Sequence, residues 1–171
     1  IKAPVNNLNQ RLPVMLWIHG GGNTSGVKDY YDFSELIREH QVIVVTINYR
    51  LGPMGWFTHP AIQGLQNGID KASNFGTLDI MEALKWVQTN IQNFGGDSEN
   101  ITIFGESAGG NNVLSLLASP MGNGLFHKAI SQSGYTTSFT KEEALGLNQK
   151  GTVVNQLGSD PVLTSFDSSG Y

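Results

Sequence analysis

"ITIFGESAGGNNVLSLLA", residues 101–118, decides the fold. Ile101 to Gly105 form an apolar run that reads as a strand buried on both faces. Ala108 to Ala118 read as a helix that stops before Pro120. Between them stands Gly105-Glu106-Ser107-Ala108-Gly109, a G-x-S-x-G pattern. In a chain with 21 glycines that pattern alone says little, so its flanks must decide. A serine that closes a strand and opens a helix occupies a nucleophile elbow, a strained turn that pushes its hydroxyl out at the carboxyl end of the sheet. Gly105 and Gly109 suit the close passage of strand and helix backbones there. The helix amino terminus favours the negative charge that develops on a bound carbonyl oxygen. The blander alternative is a purely structural strand-to-helix turn.

Outward from this stretch, strands and helices alternate, which argues for an α/β fold with a mostly parallel central sheet and helices on both faces. "PVMLWIH" (Pro13 to His19) is a continuous apolar run that leads into three glycines, as a central strand should read. "VIVVTINY" (Val42 to Tyr49) is a second strand and "KAISQSG" (Lys128 to Gly134) a fourth. Ile80, Ala83, Leu84, Val87 and Ile91 recur at three- and four-residue spacing and make one apolar helix face, capped by Thr77 or Asp79 and stopped by Gly95 and Gly96. Phe33 to His40 reads as a short helix, and Lys141 to Gly158 as another that carries two internal glycines. The polar tail beyond it is expected to be mobile. Arg50 to Gly76 is too long for a plain connection, so it is expected to be functional or folded over a neighbour.

The bulk numbers bound the function. Charged residues make up 14% of the chain against roughly 25% in typical soluble domains. A whole domain needs a charged surface, so residues 1–171 are expected to be a single incomplete domain, the interior portion of something larger. The net charge of -4 supports neither a nucleic-acid partner nor an anionic membrane. No apolar run approaches the ~18 residues of a transmembrane segment. The absence of cysteine excludes a disulfide framework, a thiolate metal site and a cysteine nucleophile within these residues. The four histidines show no H-x-x-H spacing, so a metal site is not expected.

A second element supports the serine. "HGGG" (His19 to Gly22) follows the first strand directly. Glycines there let backbone N–H groups turn toward one point, and Gly21, Gly22 and the Ala108 amide are candidate oxyanion donors, each worth about 3–4 kcal/mol of barrier lowering when preorganised. His19 is read as holding that loop rather than moving protons, and His40 and His59 as surface or loop residues. Arg50 and Asp79 each end an apolar element, and a buried structural ion pair between them is expected. The sequon Asn100-Ile101-Thr102 runs into a buried strand and is not expected to carry a glycan.

At these residues the chain resembles the type-B carboxylesterases. "FGGDSENITIFGESAGG" (Phe94 to Gly110) looks like their serine-active-site signature. The resemblance continues through "WIHGGG", "VTINYRLGPMGW", "NFGTLDIMEALKWVQTNIQNFGGD" and "GLFHKAISQSG", and fades after about Thr140. It implies a partial α/β-hydrolase fold, with the strands in the spatial order two, one, three, four, and ester cleavage through an acyl-enzyme on Ser107, with a small-molecule ester as substrate and no cofactor or metal. Gly21, Gly22 and Ala108 match the family's oxyanion positions, and Glu106 matches a glutamate of its active-site network. Asn23 stands where many members carry an aromatic residue, and Ile80 where a glutamine is usual. In this fold the triad runs serine, acid, histidine. The only histidine after Ser107 is His127, at the start of the fourth strand, so the acid and histidine are expected beyond residue 171 and the segment alone is expected to be inactive. The rival reading is a non-catalytic cholinesterase-like adhesion or ligand-binding module.

Overall fold

The computed structural model describes residues 1–5 and 10–136, together with the backbone of Val154–Asn155 and Gly158–Ser159. Strands β1 (Leu12–Ile18), β2 (Ile43–Thr46), β3 (Gly96–Glu106) and β4 (Lys128–Gln132) form one parallel sheet in the order β2-β1-β3-β4. That is the order the family resemblance implies.

A constant right-handed crossover then decides which face each helix covers. The chain crosses the sheet one way from β1 to β2 and the other way from β2 through β3 to β4. Helix α1 (Ser34–His40) therefore packs opposite to the two long helices of the other face, α4 (Phe75–Asn90) and α5 (Ala108–Ala118). The two-residue strand period sorts the side chains accordingly. Val14, Leu16, Ile18, Ile101 and Ile103 meet Ile80, Leu84 and Val87 of α4 and Val113 and Leu116 of α5. Trp17 and Phe104 point the other way and meet Ile37 of α1 with Val42 and Val44. Each fully buried aliphatic side chain contributes about 1.5–3 kcal/mol, so the strand-period residues hold both layers.

Several boundaries differ from the sequence reading. Helix α4 starts at Phe75, after Asn74, so neither Thr77 nor Asp79 caps it. Both side chains sit within the first turns and are engaged from the 50–76 segment: Thr77 Oγ1 accepts from Trp56 Nε1 at 3.3 Å, and Asp79 accepts from Arg50. That segment is no open loop. It contains two proline-started helical turns, α2 (Pro53–Trp56) and α3 (Pro60–Leu65), and a 3₁₀ turn at Gly68–Ala72. It folds over α4, where a side chain on Gly76 would collide with the Trp56 ring. Strand β3 begins at Gly96, five residues before the apolar run, because Leu12 pairs with Gly96 across a register shift in β1.

The Arg50–Asp79 pair is present but not buried. Arg50 Nη2 and Nε donate to Asp79 Oδ1 and Oδ2 at 2.7 and 2.8 Å, and the Arg50 amide adds a third bond at 2.9 Å. The side chains nevertheless remain 48% and 26% exposed, and the Arg50 guanidinium lies over the Phe75 ring. Of the helix expected over 141–158, Val154–Asn155 and Gly158 instead belong to a short antiparallel pair, β5 (Val154–Asn155) with β6 (Gly158–Ser159). The remainder, and the polar tail after Ser159, lie outside the described residues. Among the described residues no helix is long and apolar enough to cross a membrane.

Candidate active site

Ser107 links β3 to α5 with φ 56° and ψ -122°, a conformation that costs a non-glycine residue about 1–3 kcal/mol. Two contacts hold it there. Its amide donates to the Gln132 carbonyl at 2.9 Å, fixing the turn to the end of β4, and its carbonyl accepts from the Asn111 amide at 3.0 Å, starting the helix. The hydroxyl does not cap α5, and the residue is half-buried. Neighbouring glycines make this turn possible. A Cβ on Gly105 would sit 2.6 Å from the Gly109 carbonyl oxygen, and one on Gly109 would overlap the Ile18 carbonyl oxygen and lie 2.8 Å from that of His19. The carboxyl end of β1 thus rests directly on the first turn of α5.

That contact brings the glycine loop to the serine. Gly20 is the closest loop residue: a Cβ there would lie 3.2 Å from Ser107 Cβ and 3.3 Å from Glu106 Oε2. The first three carbonyls of this stretch are each engaged. The His19 carbonyl accepts from the Tyr49 hydroxyl at 2.5 Å, and that of Gly20 lies 2.8 Å from His19 Nδ1. The Gly21 carbonyl accepts from the amides of Thr24 and Ser25, both at 3.1 Å, and from their hydroxyls at 3.1 and 3.2 Å. Gly21 and Gly22 have φ of 102° and 65°, which the absence of a side chain makes available. Their amides and that of Ala108 donate to no acceptor among the described residues. Glu106 is half-buried, and its carboxylate likewise has no hydrogen-bond partner among the described residues.

Beneath the loop lies a polar network that the sequence reading did not find. Asn23 is only 3% exposed, and its Oδ1 accepts from Asn112 Nδ2 at 2.9 Å. Its carbonyl accepts from the Gly52 amide at 2.7 Å. Asn23, where the resemblance leads us to expect an aromatic ring, is thus a buried amide that ties the loop to α5 and to the turn after β2. Burial raises the Tyr49 phenol far above its ordinary value, so it remains a donor throughout the working pH range. The signal was visible in outline, since Asn112 is a polar residue on the inner face of an otherwise apolar helix.

The histidines are distributed as expected. His19 is buried and stacks on Tyr49 with ring centroids 4.4 Å apart. His40 is exposed at the end of α1, and His59 Nδ1 accepts the Ala61 amide at the start of α3. His127 lies at the amino-terminal end of the sheet, where its Nδ1 accepts from the Ile101 amide at 3.1 Å. Lys128 pairs with Thr102 in β3, which sets His127 five to six residues from Ser107, about 16 Å or more at ~3.3 Å per residue. Of the sequon, Asn100 Oδ1 accepts from Lys128 Nζ at 2.6 Å, and Ile101 and Thr102 are buried in β3. Among the described residues no group of three metal-ligating side chains comes together.

The sequence model of the carboxylesterase family matches residues 1–161. The chain belongs to the carboxylesterase family. Among its relatives, the para-nitrobenzyl esterase of Bacillus subtilis (strain 168) is 48% identical over 138 residues, 80% of this chain and 27% of that protein. Liver carboxylesterase 1 of Oryctolagus cuniculus is 52% identical over 124 residues, 72% of this chain and 21% of that protein. The solved structure of a thermophilic PNB esterase superposes with a TM-score of 0.72 at 48% identity, covering 80% of this chain and 28% of the other. The chain thus spans about a quarter of the length of the curated relatives it matches. Its sheet is a portion of the α/β-hydrolase fold of this family.

Proposed function

We propose that the protein to which this chain belongs cleaves carboxylic esters of small molecules by way of an acyl-enzyme on Ser107. The observation that carries this reading is the strained elbow: a half-buried serine, its hydroxyl unengaged among the described residues, at the carboxyl end of β3, with the glycine loop of β1 beside it. Ser107 Oγ attacks the acyl carbon and its proton passes to a base. The tetrahedral oxyanion receives hydrogen bonds from the amides of Gly21, Gly22 and Ala108, and the positive end of α5 adds to them. Collapse expels the alcohol with that proton, and water then releases the acid by the same steps in reverse order. Glu106, against Gly20, serves the network that orients the base.

None of the four histidines bonds Ser107 among the described residues, and His127 is at the wrong end of the strands. The reading therefore takes the base and its acid from outside residues 1–171, so residues 1–171 alone should not turn over esters. Relatives are named for unlike esters, so the ester bond is carried over and no particular alcohol or acid. No observation favours the adhesion or binding-module alternative. The test is reaction of the full-length protein with a fluorophosphonate, which modifies activated serines. Stoichiometric labelling is expected, and a protein that stays unlabelled would refute the reading.

A further inference from the structure

His19 is a buried titratable group that the mechanism above does not use. We infer that His19, locked as its Nδ1–H tautomer, is a positioning residue that sets the direction of the Gly21 amide. This rests on the proposed oxyanion role of Gly21 and deepens it.

A carbonyl oxygen can only accept, so the 2.8 Å contact between His19 Nδ1 and the Gly20 carbonyl requires the proton on Nδ1. The other nitrogen, Nε2, is buried and has no partner among the described residues, which fits a bare lone pair with no proton to place. The Gly20 carbonyl belongs to the same planar peptide unit as the Gly21 N–H, and in a trans peptide the two point in opposite directions. Whatever holds the Gly20 oxygen therefore aims the Gly21 hydrogen. Glycine at position 20 offers little resistance to peptide rotation, so the aim must be imposed from outside the loop.

The ring itself cannot swing away. Tyr49 stacks on one side at 4.4 Å and 19°, and on the Gly26 side there is no room for even a Cβ. The Tyr49 hydroxyl holds the preceding carbonyl, that of His19, at 2.5 Å. Tyr49 and His19 together fix two consecutive peptide planes ahead of Gly21. Misaiming one preorganised donor is expected to lower kcat by about 10²-fold, as removal of one such donor does. Substrate binding depends little on that donor, so KM should hardly move.

The test uses the full-length enzyme and three substitutions. Asparagine reproduces the Nδ1 donor of histidine, so His19→Asn should keep kcat within about tenfold of the parent. His19→Gln, whose amide reaches the Nε2 position instead, and His19→Ala should both lose about 10²-fold in kcat with KM within about threefold. A trifluoromethyl ketone, which forms the oxyanion as a bound hemiketal, should weaken in parallel with kcat. Equal losses in all three variants, or a loss carried by KM, would overturn the inference. If the variants do not fold, ¹⁵N shifts of histidine-labelled parent enzyme decide it: a protonated Nδ1 on His19 is expected, and a protonated Nε2 overturns it. Fluorophosphonate labelling of the parent separates the two readings. A parent that labels while the His19 variants behave alike leaves the esterase standing and removes only this inference.

Discussion

The two ends of the same four strands are built in opposite ways. At the amino-terminal end, polar groups are paired: Arg11 Nη2 donates to Asp97 at 2.8 Å, Asp97 also accepts the Glu99 amide, and His127 Nδ1 accepts the Ile101 amide. The Glu99 amide and Arg11 hold the Asp97 carboxyl below its ordinary range. At the carboxyl end, lysine and arginine are missing from the loop around Gly20–Gly26 and from the elbow. There the carbonyls of His19, Gly20 and Gly21 are bound, the amides of Gly21, Gly22 and Ala108 have no acceptor among the described residues, and Ser107 is held in a strained conformation. Both ends are made from the same buried strands, so burial does not distinguish them. What differs is which backbone groups the neighbours leave unbound. In the proposed site, developing negative charge would be met by unbound amides, with no cation at all.

This contrast can be broken most severely at the elbow. In the full-length protein Ser107→Ala should lower kcat for ester cleavage by a factor on the order of 10⁶ while leaving thermal unfolding unchanged. Retention of a tenth of the parent activity would show that the carboxyl end is not where the chemistry occurs. Gly109→Ala attacks the packing beneath it. Its new Cβ would overlap the Ile18 carbonyl oxygen, a backbone atom that cannot move without shifting β1, so a loss of about 3 kcal/mol or more is expected in denaturant unfolding. A variant as stable as the parent would mean that β1 and α5 are not in this close contact.

The opposite end sharpens the comparison. His127→Ala leaves the Ile101 amide, in a fully buried residue, without its acceptor and should cost about 1–3 kcal/mol of stability with kcat unchanged. A large fall in kcat at unchanged stability would make His127 part of the chemistry. The smallest effect belongs to Arg50 and Asp79. Because the pair is partly exposed, a double-mutant cycle of Arg50→Met and Asp79→Leu should give a coupling of about 1 kcal/mol. Burial pushes the Asp79 carboxyl up, but hydrogen bonds from Arg50 outweigh it and the net direction is down. A carboxyl whose folded value is below its unfolded one binds fewer protons when folded. Its stabilisation is thus present above the ordinary range near pH 4 and is lost as pH falls through the folded value. Arg50→Met should flatten that acid limb, and an unaltered limb would show that the pair does not hold the shift.

The contrast also explains what could be read in the sequence. Continuous apolar runs mark β1 and the apolar part of β3, the strand order followed from the family resemblance, and α5 runs over the residues expected of it. Ser107 was legible because strand, turn chemistry and helix agree there. The first five residues of β3, "GDSEN", carry no strand signal, and they are extended because Leu12 pairs with Gly96. Asn23, Asn112 and Tyr49 are separated by 26 and 89 residues, so no local pattern joins them. Arg50 and Asp79 were legible as partners but not in their exposure, since solvent reaches them past the 50–76 segment, whose folding local sequence does not dictate.

The central claim is that Ser107 carries the acyl group. The direct measurement is rapid acid quench of the full-length protein during turnover of an activated ester, followed by mass spectrometry of its peptides. The account predicts one acyl mass on the peptide that contains Ser107, formed within the burst and absent from Ser107→Ala. Burst-phase turnover without acylation of that peptide, or with the acyl group on another residue, would contradict it.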